Sequence, residues 1–509
     1  MRTGAGSALR KGTAVVATTR QEPGFGIEQR GVEWVPLTER WGTPRGLFWL
    51  WAGAVTNVEF VVYGALLVSL GLSFVQAVII AVLGNLLYVL TGLTSLQGPK
   101  AGTTTFGVSR APFGPNGNRV VAFFNWVTQV GFETEGVALI VLAGLALASK
   151  GGMGSSVALK VALILAAAAV QIVLPLLGHA TILRVLRALA IPFVVLFVIL
   201  AVLTAPKVHV HVHHSASWAT MMVGAALVIS GGGLGWSENA SDYSRYLPPG
   251  SRPAAILGWV TAGAALPSML LEILGAAVAT GVPSATNPIS GLPHAFPAWF
   301  LVPYLVVAIL QLFAINTMDL YSSGVTLQAL GVGLRRIHCV VIDTVVCCGL
   351  TAFAIFSRQF NTLLSDFLLF IVVWLGPWCA VFLVDWALRR GRYDSRSLMA
   401  RVGGVYWRRG GVSWRALVAQ GIGMVAAMMW IDTSVYVGPL SSRTQGSDLS
   451  IYLGFCVGGL VYLLLAHRQV RSEAQEPLAE PVLGAGSGAG SAVGAAYGAG
   501  SEPGLRHGG

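Results

Sequence analysis

The chain has 509 residues, of which 55% are hydrophobic and only 10% charged. An ordinary soluble domain carries roughly 25% charged residues, so this composition excludes a soluble enzyme, a nucleic-acid binder and a disordered chain. It leaves an all-α polytopic membrane protein, in which the surplus of 32 Lys and Arg over 21 Asp and Glu asks which membrane face holds the positive charge.

Residues 1–46 form a basic tail with Arg2, Arg10, Lys11, Arg20 and Arg30. The tail has no apolar core of a signal peptide, so no cleavable signal is expected. Stretches able to cross about 30 Å of hydrocarbon follow. They lie at 47–70, 73–95, 120–148, 158–178, 187–205, 218–237, 254–281, 301–330, 338–356, 361–386, 415–437 and 449–466. That makes twelve transmembrane helices, an even number, which puts both ends on one side. The loop after span five carries His209, His211, His213 and His214, which fit either an external metal site or a solvated loop with accidental alternation. Pro283, Pro288, Pro293, Pro297 and Pro303 punctuate the outer loop and the start of span eight. Cys339, Cys347, Cys348, Cys379 and Cys456 sit in apolar stretches, odd in number and without CxxC, and read as core residues; no metal site is expected of them. Residues 467–509 are rich in Gly, Ala and Ser and read as a disordered tail.

Loop charge sets the orientation. With the loops numbered alternately, 27 of the 32 basic residues fall on the side of the termini. Only Lys150, Lys160, Lys207, Arg358 and Arg443 fall on the other. Both termini are therefore expected in the cytoplasm of a multi-pass plasma (cell inner) membrane protein. Adding or dropping one span would scramble this separation.

Several spans contain polar residues that hydrocarbon disfavours, and such residues usually face a cavity or a partner. Spans one and six matter most. WAGAVTN in span one and SGGGLGWSENASDY in span six turn from apolar to small and polar in mid-membrane. Either these are broken helices lining a cavity, or the small residues mark a close helix contact. Interruptions five spans apart are a mark of inverted repeats with a midplane site. The repeats would be 47–205 and 218–386, with accessory helices in 415–466, all within a transporter domain at 47–466. The glycine run lacks the GK[ST] of a phosphate loop. In span three, Phe132, Glu135 and Gly136 share a helical face, and Glu133 points elsewhere. Asn316 and Asp319 lie three apart in span eight. A cavity edged by Asn57, Phe132, Glu135, Trp236, Asn316 and Asp319 would suit a small planar ligand, stacked on its faces and hydrogen-bonded at its edge.

Four stretches carry a family resemblance: GIEQRGVEWVPLTERWGTPRGLFWLW, GPKAGTTTFGVSRAPFGPNGNR, GWSENASDYSRYLP and DWALRRGRYDSRSLMARVGGVYWRRGGVSWRALVAQ. In this order over residues 27–466, the chain resembles the nucleobase:cation symporter family one, purine–cytosine permease branch. The resemblance implies a leucine-transporter-like five-plus-five inverted repeat plus two accessory helices, and import of a heterocycle with a cation. It puts the ring-holding aromatics at Trp236 and at Phe132, where the family usually has Trp. It puts edge-binding amides at Gly136, at Asp319 and near Asn57. Here two departures stand out. Gly136 offers no side-chain bond, and Asp319 supplies a carboxylate, which when ionised only accepts hydrogen bonds and so suits an amino-bearing base. The span-eight hydroxyls of the family's sodium-dependent hydantoin transporter fall on Ala314 and Ile315, which give a hard cation no side-chain oxygen.

The expectation is a proton symporter of a cytosine- or purine-type nucleobase or related heterocycle. Glu135, Glu238 and Asp319 are the candidate proton carriers. No cofactor and no nucleic-acid partner are expected; lipid surrounds the chain and no oligomer is required. The alternative is a sodium-coupled symporter of hydantoin, allantoin or a vitamin precursor. A non-transporting receptor or an intramembrane enzyme is the competing class. No HExxH motif or Ser/His pair supports an enzyme.

Overall fold

The computed structural model describes residues 32–476, apart from 177–178, 209–214, 283–288, 290, 293–294, 332–335, 358 and 401. The four-histidine run, Pro283, Pro288, Pro293 and most of both tails therefore lie outside the described residues.

Helices fill all twelve expected positions. Span one is Pro44–Val55 with Val58–Ser69, a pair bent by 57°. Spans two and three are Phe74–Ala101 and Asn118–Lys150. Spans four and five are Val157–Leu176 and His179–Thr204. Span six begins with Trp218–Ile229, and spans seven to ten are Pro253–Gly281, Ala298–Ala329, Arg336–Ser357 and Phe360–Arg389. Spans eleven and twelve are Trp414–Met428 and Ser450–Glu473. Among the described residues, eight helices are long and apolar enough to cross a membrane, and the bent pair makes a ninth. Spans four, five and eleven carry shorter apolar helices. Apolar side chains such as Leu83, Val198, Leu270 and Phe353 stand exposed on the outer faces, as lipid contact requires.

Both interruptions are real breaks. Asn57 leaves the helical conformation at φ −142°, ψ 173°. Its side chain accepts from Glu59 N at 2.7 Å and donates to Ala54 O at 2.9 Å, so it serves helix ends on both sides of the gap. Span six widens at Ser230–Leu234, where Gly232 takes φ −109°, ψ −117°, then tightens over Gly235–Glu238. Gly233 also lies against span two, where a Cβ would fall 2.2 Å from the Leu87 carbonyl carbon. Its carbonyl accepts from Thr91 Oγ1 at 2.8 Å. The break and the close helix contact thus occur together.

Spans one, two, six and seven pack as one group, and spans three, four, eight and nine as another. Backbones meet directly between spans one and seven. A Cβ on Gly64 would sit 1.9 Å from Glu272 O, and one on Gly275 2.0 Å from Val61 O. Spans ten, eleven and twelve form a third group against this frame.

Span five starts at His179, ahead of the expected 187, and two further boundaries differ from expectation. Span eleven ends at Met428 rather than near 437, because Asp432, Thr433 and Ser434 turn out of the helix. Asp448 Oδ2 accepts from Asp432 N at 3.0 Å, and Asp366 Oδ1 from Ser434 N at 2.8 Å. Span twelve runs on to Glu473, into the stretch assigned to the disordered tail. Arg389 holds Glu473 at 2.8 Å and Arg408 bonds both of its carboxylate oxygens, giving that last helical turn a half-buried anchor.

The stretches 98–119 and 389–415, far apart in sequence, dock on one another. Arg110 donates to Leu398 O at 2.9 Å and Arg408 to Ala111 O at 2.9 Å. Ser413 N donates to Phe113 O at 2.8 Å and Asn116 N to Gly411 O at 2.8 Å. Gly114, at φ +80°, ψ 157°, leaves no room for a side chain, since its Cβ would lie 2.6 Å from Gly411 O.

Candidate functional site

The breaks in spans one and six face a narrow, nearly closed cavity of about 10 Å³, room for about one water molecule. Tyr63 and Glu59 line it from the second half of span one, and Gln129 and Phe132 from span three. Span six contributes Gly231, Gly235, Trp236, Glu238 and Asn239, and span eight Asp319. Among the described residues, no Lys, Arg or His lines it. Trp236 is fixed edge-on by Trp51, ring centroids 5.5 Å apart, and Phe132 by Phe367 at 5.2 Å. Gln129 Nε2 donates to Glu238 Oε1 at 2.6 Å, tying span three to the broken part of span six. Two aromatic rings and three carboxyl groups thus meet in one narrow space. When ionised these carboxyls accept hydrogen bonds, and when protonated each also donates one.

Of the residues expected at the site, Phe132, Trp236, Glu238 and Asp319 lie at this cavity. The other four are displaced from its lining. Asn57 is spent on the helix ends of span one. Glu135 sits behind the wall, accepting from Tyr63 Oη at 3.1 Å. Asn316 turns toward span three and donates to Glu133 O at 3.1 Å. Gly136 lies beneath it, where a Cβ would fall 2.0 Å from Asn316 Oδ1. An amide therefore does occupy the space beside position 136, but it comes from span eight.

Glu59, Tyr63, Gln129 and Asn239 also line the cavity and were absent from the expected set. For Gln129 a signal existed. It precedes Phe132 by three residues and so shares its face, one turn toward the start of span three. Glu59 and Tyr63 are four apart beyond the break and likewise share a face, but only the direction of the second half of span one reveals that this face is the inner one.

Two interrupted helices beside a cavity, within a bundle of apolar spans, are the arrangement of a multi-pass membrane transporter. The family described as "permease for cytosine/purines, uracil, thiamine, allantoin" matches residues 34–458, and the chain belongs to it, within the nucleobase:cation symporter family one. It is 28% identical over 477 residues to YxlA of Bacillus subtilis, which carries a purine-cytosine permease designation, covering 89% of this chain and 99% of that one. It is 26% identical over 488 residues to the purine-cytosine permease fcyB of Emericella nidulans, covering 87% and 89%. Among solved structures it is similar to Mhp1, a nucleobase-cation-symport-1 family transporter, in a closed conformation with bromovinylhydantoin bound. That likeness has a TM-score of 0.70 at 16% identity, over 87% of this chain and 96% of the other. The inward-facing conformation of Mhp1 gives 0.68 over 88% and 96%. The fold is accordingly the all-helical five-plus-five arrangement with accessory helices.

Proposed function

We propose that this transporter imports a nucleobase of cytosine or purine type, or a closely related heterocycle, by proton symport, in a plasma membrane with both termini cytoplasmic. The cavity between the two broken helices carries the reading. It combines the aromatic rings of Phe132 and Trp236 with acceptors at Glu59, Glu238 and Asp319 and, among the described residues, with no basic side chain. Flat faces suit stacking, and acceptor-rich edges suit the amino and ring N–H groups of such bases. Proton coupling draws support from the same chemistry, since Glu238 and Asp319 are buried acids at the cavity and Glu135 lies one hydrogen bond behind it. Ala314 and Ile315, both buried, give sodium no side-chain oxygen. The loop charges support the orientation.

The test is uptake of labelled cytosine, adenine, hypoxanthine and uracil by a permease-deficient host expressing the chain, with and without a protonophore, in sodium and in sodium-free medium. Uptake abolished by the protonophore and indifferent to sodium is expected. Uptake of hydantoin or allantoin alone would move the substrate within the family, and uptake that needs sodium and survives the protonophore would sink the coupling.

A further inference from the structure

On the face opposite the basic loops lies a second and far larger cavity, of about 520 Å³. Four elements enclose it: the end of span one, the start of span six, the start of span ten, and the turn that follows span eleven. Leu66, Leu70, Val223 and Leu369 give it apolar walls, and hydroxyl, amide and carboxyl groups supply the rest of its lining. Among the described residues, no Lys, Arg, His or aromatic side chain lines it.

The turn is held by its own bonds. Asp448 accepts from Asp432 N, Asp366 accepts from both the N–H and the hydroxyl of Ser434, and Thr433 Oγ1 donates to Tyr436 O at 2.8 Å. These contacts use both carboxylate oxygens of Asp366. They leave the carboxylate of Asp432, half-buried in the cavity wall, without a hydrogen bond or ion pair among the described residues. Asn361, Ser365 and Gln445 also line the cavity with side chains that have no partner among those residues. A carboxylate accepts hydrogen bonds, an amide accepts and donates, and a hydroxyl does either. Such a set can meet the N–H groups of an amino-bearing heterocycle at Asp432 and its ring acceptors at the amides, while the leucines cover its face.

Size separates the two cavities. Small-molecule pockets run from about 300 to 1,000 Å³, and the outer cavity falls in that range. The cavity between the broken helices, at about 10 Å³, admits a base only after its walls part. The two are neighbours. Tyr63 lines the inner one and Leu66, three residues on, the outer. Phe367, flanked by the outer-cavity residues Asp366 and Leu369, packs its ring 5.2 Å from that of Phe132 in the inner cavity.

We propose that the outer cavity is a second binding site, which takes the transported heterocycle before it reaches the midplane, with Asp432 accepting from its amino or ring N–H. The proposal rests on the substrate reading above. No ring stacks on the ligand there, so the outer site is weaker than the inner by about 5- to 150-fold, the worth of one base–aromatic stack.

The test counts bound molecules on the purified full chain, by equilibrium dialysis with labelled cytosine and, separately, labelled adenine. The wild type is expected to bind two molecules of the transported base, one tightly and one weakly. Trp236→Ala should leave the weak site at wild-type affinity. Asp432→Ala should weaken that site by about 10- to 150-fold, as loss of a hydrogen bond to a charged group does, and leave the tight site unchanged. Asn361→Ala, on a different element, should weaken the same site, which keeps the assignment testable if Asp432→Ala disturbs the turn. In lipid vesicles Asp432→Ala should raise the KM for uptake and keep the maximal rate; a wild-type KM would put the site off the route and overturn its role. A single bound molecule that Trp236→Ala removes, or a weak site unchanged in both Asp432→Ala and Asn361→Ala, would overturn this proposal alone. A wild type that binds neither base yet transports a hydantoin would sink the substrate reading, and the ligand assigned to this site with it.

Discussion

Gly136→Ala adds a single methyl group at a point where the structure has no room for one. The new Cβ would fall 2.0 Å from Asn316 Oδ1, 2.6 Å from its Cγ and 2.7 Å from its Nδ2. Asn316 is fully buried and donates to Glu133 O at 3.1 Å, so it can yield only by giving up that bond. Forcing a methyl into a filled core costs about 1–3 kcal/mol, and stranding a buried polar group costs about 1–3 kcal/mol more. Gly136→Ala should therefore lower stability by about 2–6 kcal/mol. The assay is thermal unfolding of the purified full chain in detergent, with Asn316→Ala and the double variant measured alongside. Once Asn316 is truncated the space is free, so the double variant should be no less stable than Asn316→Ala alone, a coupling as large as the Gly136→Ala loss itself, about 2–6 kcal/mol. Wild-type stability in Gly136→Ala, or simple addition of the two losses, would refute the contact.

Three further outcomes are expected. Trp236→Ala should weaken binding of the transported heterocycle by about 5- to 150-fold, the equivalent of about 1–3 kcal/mol for one base–aromatic stack; unchanged affinity in a thermal-shift titration would count against the cavity. Gly114→Ala, placed in a backbone region open essentially to glycine alone, should cost about 1–3 kcal/mol from strain, with the clash on Gly411 O added, and should show as a lowered unfolding temperature. Glu473→Gln should cost about 1.5–3 kcal/mol, the worth of hydrogen bonds to a charged group, since Arg389 keeps its pair with Asp385. Burial by itself would raise the Glu473 carboxyl, but Arg408 and Arg389 together hold it below the usual carboxylate range. Its folded pKa is thus depressed, so its stabilisation is present above about pH 4.3, the ordinary glutamate value, and is lost as pH falls through the lower folded value. The gap in unfolding temperature between wild type and Glu473→Gln should stay constant from neutral pH down to that point and close below it.

Much of the frame was legible because hydrocarbon is an unforgiving solvent. An Asn or a glycine run inside an apolar stretch must have a structural use, and WAGAVTN and GGGLGWSEN fall where the helices break. Trp236 could be set at the cavity because it lies in such a break, and Asp319 because it is an acid inside an apolar span. The direction in which a polar side chain points was not legible. Asn57 beside a break can serve a ligand or the helix ends, and only the backbone dihedrals decide in favour of the ends. Asn316 could turn to the cavity or to span three, and the absence of a side chain at Gly136 decides for span three. The end of span eleven was missed for a different reason. Residues 429–437 are apolar enough to continue a helix, and it is their partners at Asp366 and Asp448 that draw them into a turn.

The contrast between the two kinds of helix contact has a mechanical consequence. Spans one and seven touch backbone to backbone at Gly64 and Gly275, a fit with almost no compliance, so they can travel only as one piece. Across the cavity the ties to spans three and eight run through side chains, among them Tyr63 to Glu135, Gln129 to Glu238, Gln311 to Gly53 O at 2.6 Å and Arg245 to Tyr321 Oη at 2.7 Å. Each is worth about 0.5–3 kcal/mol, depending on whether it carries charge. The molecule thus has one stiff seam and one soft one. The soft seam runs through the acids, so the protons they hold set how firmly its two sides grip.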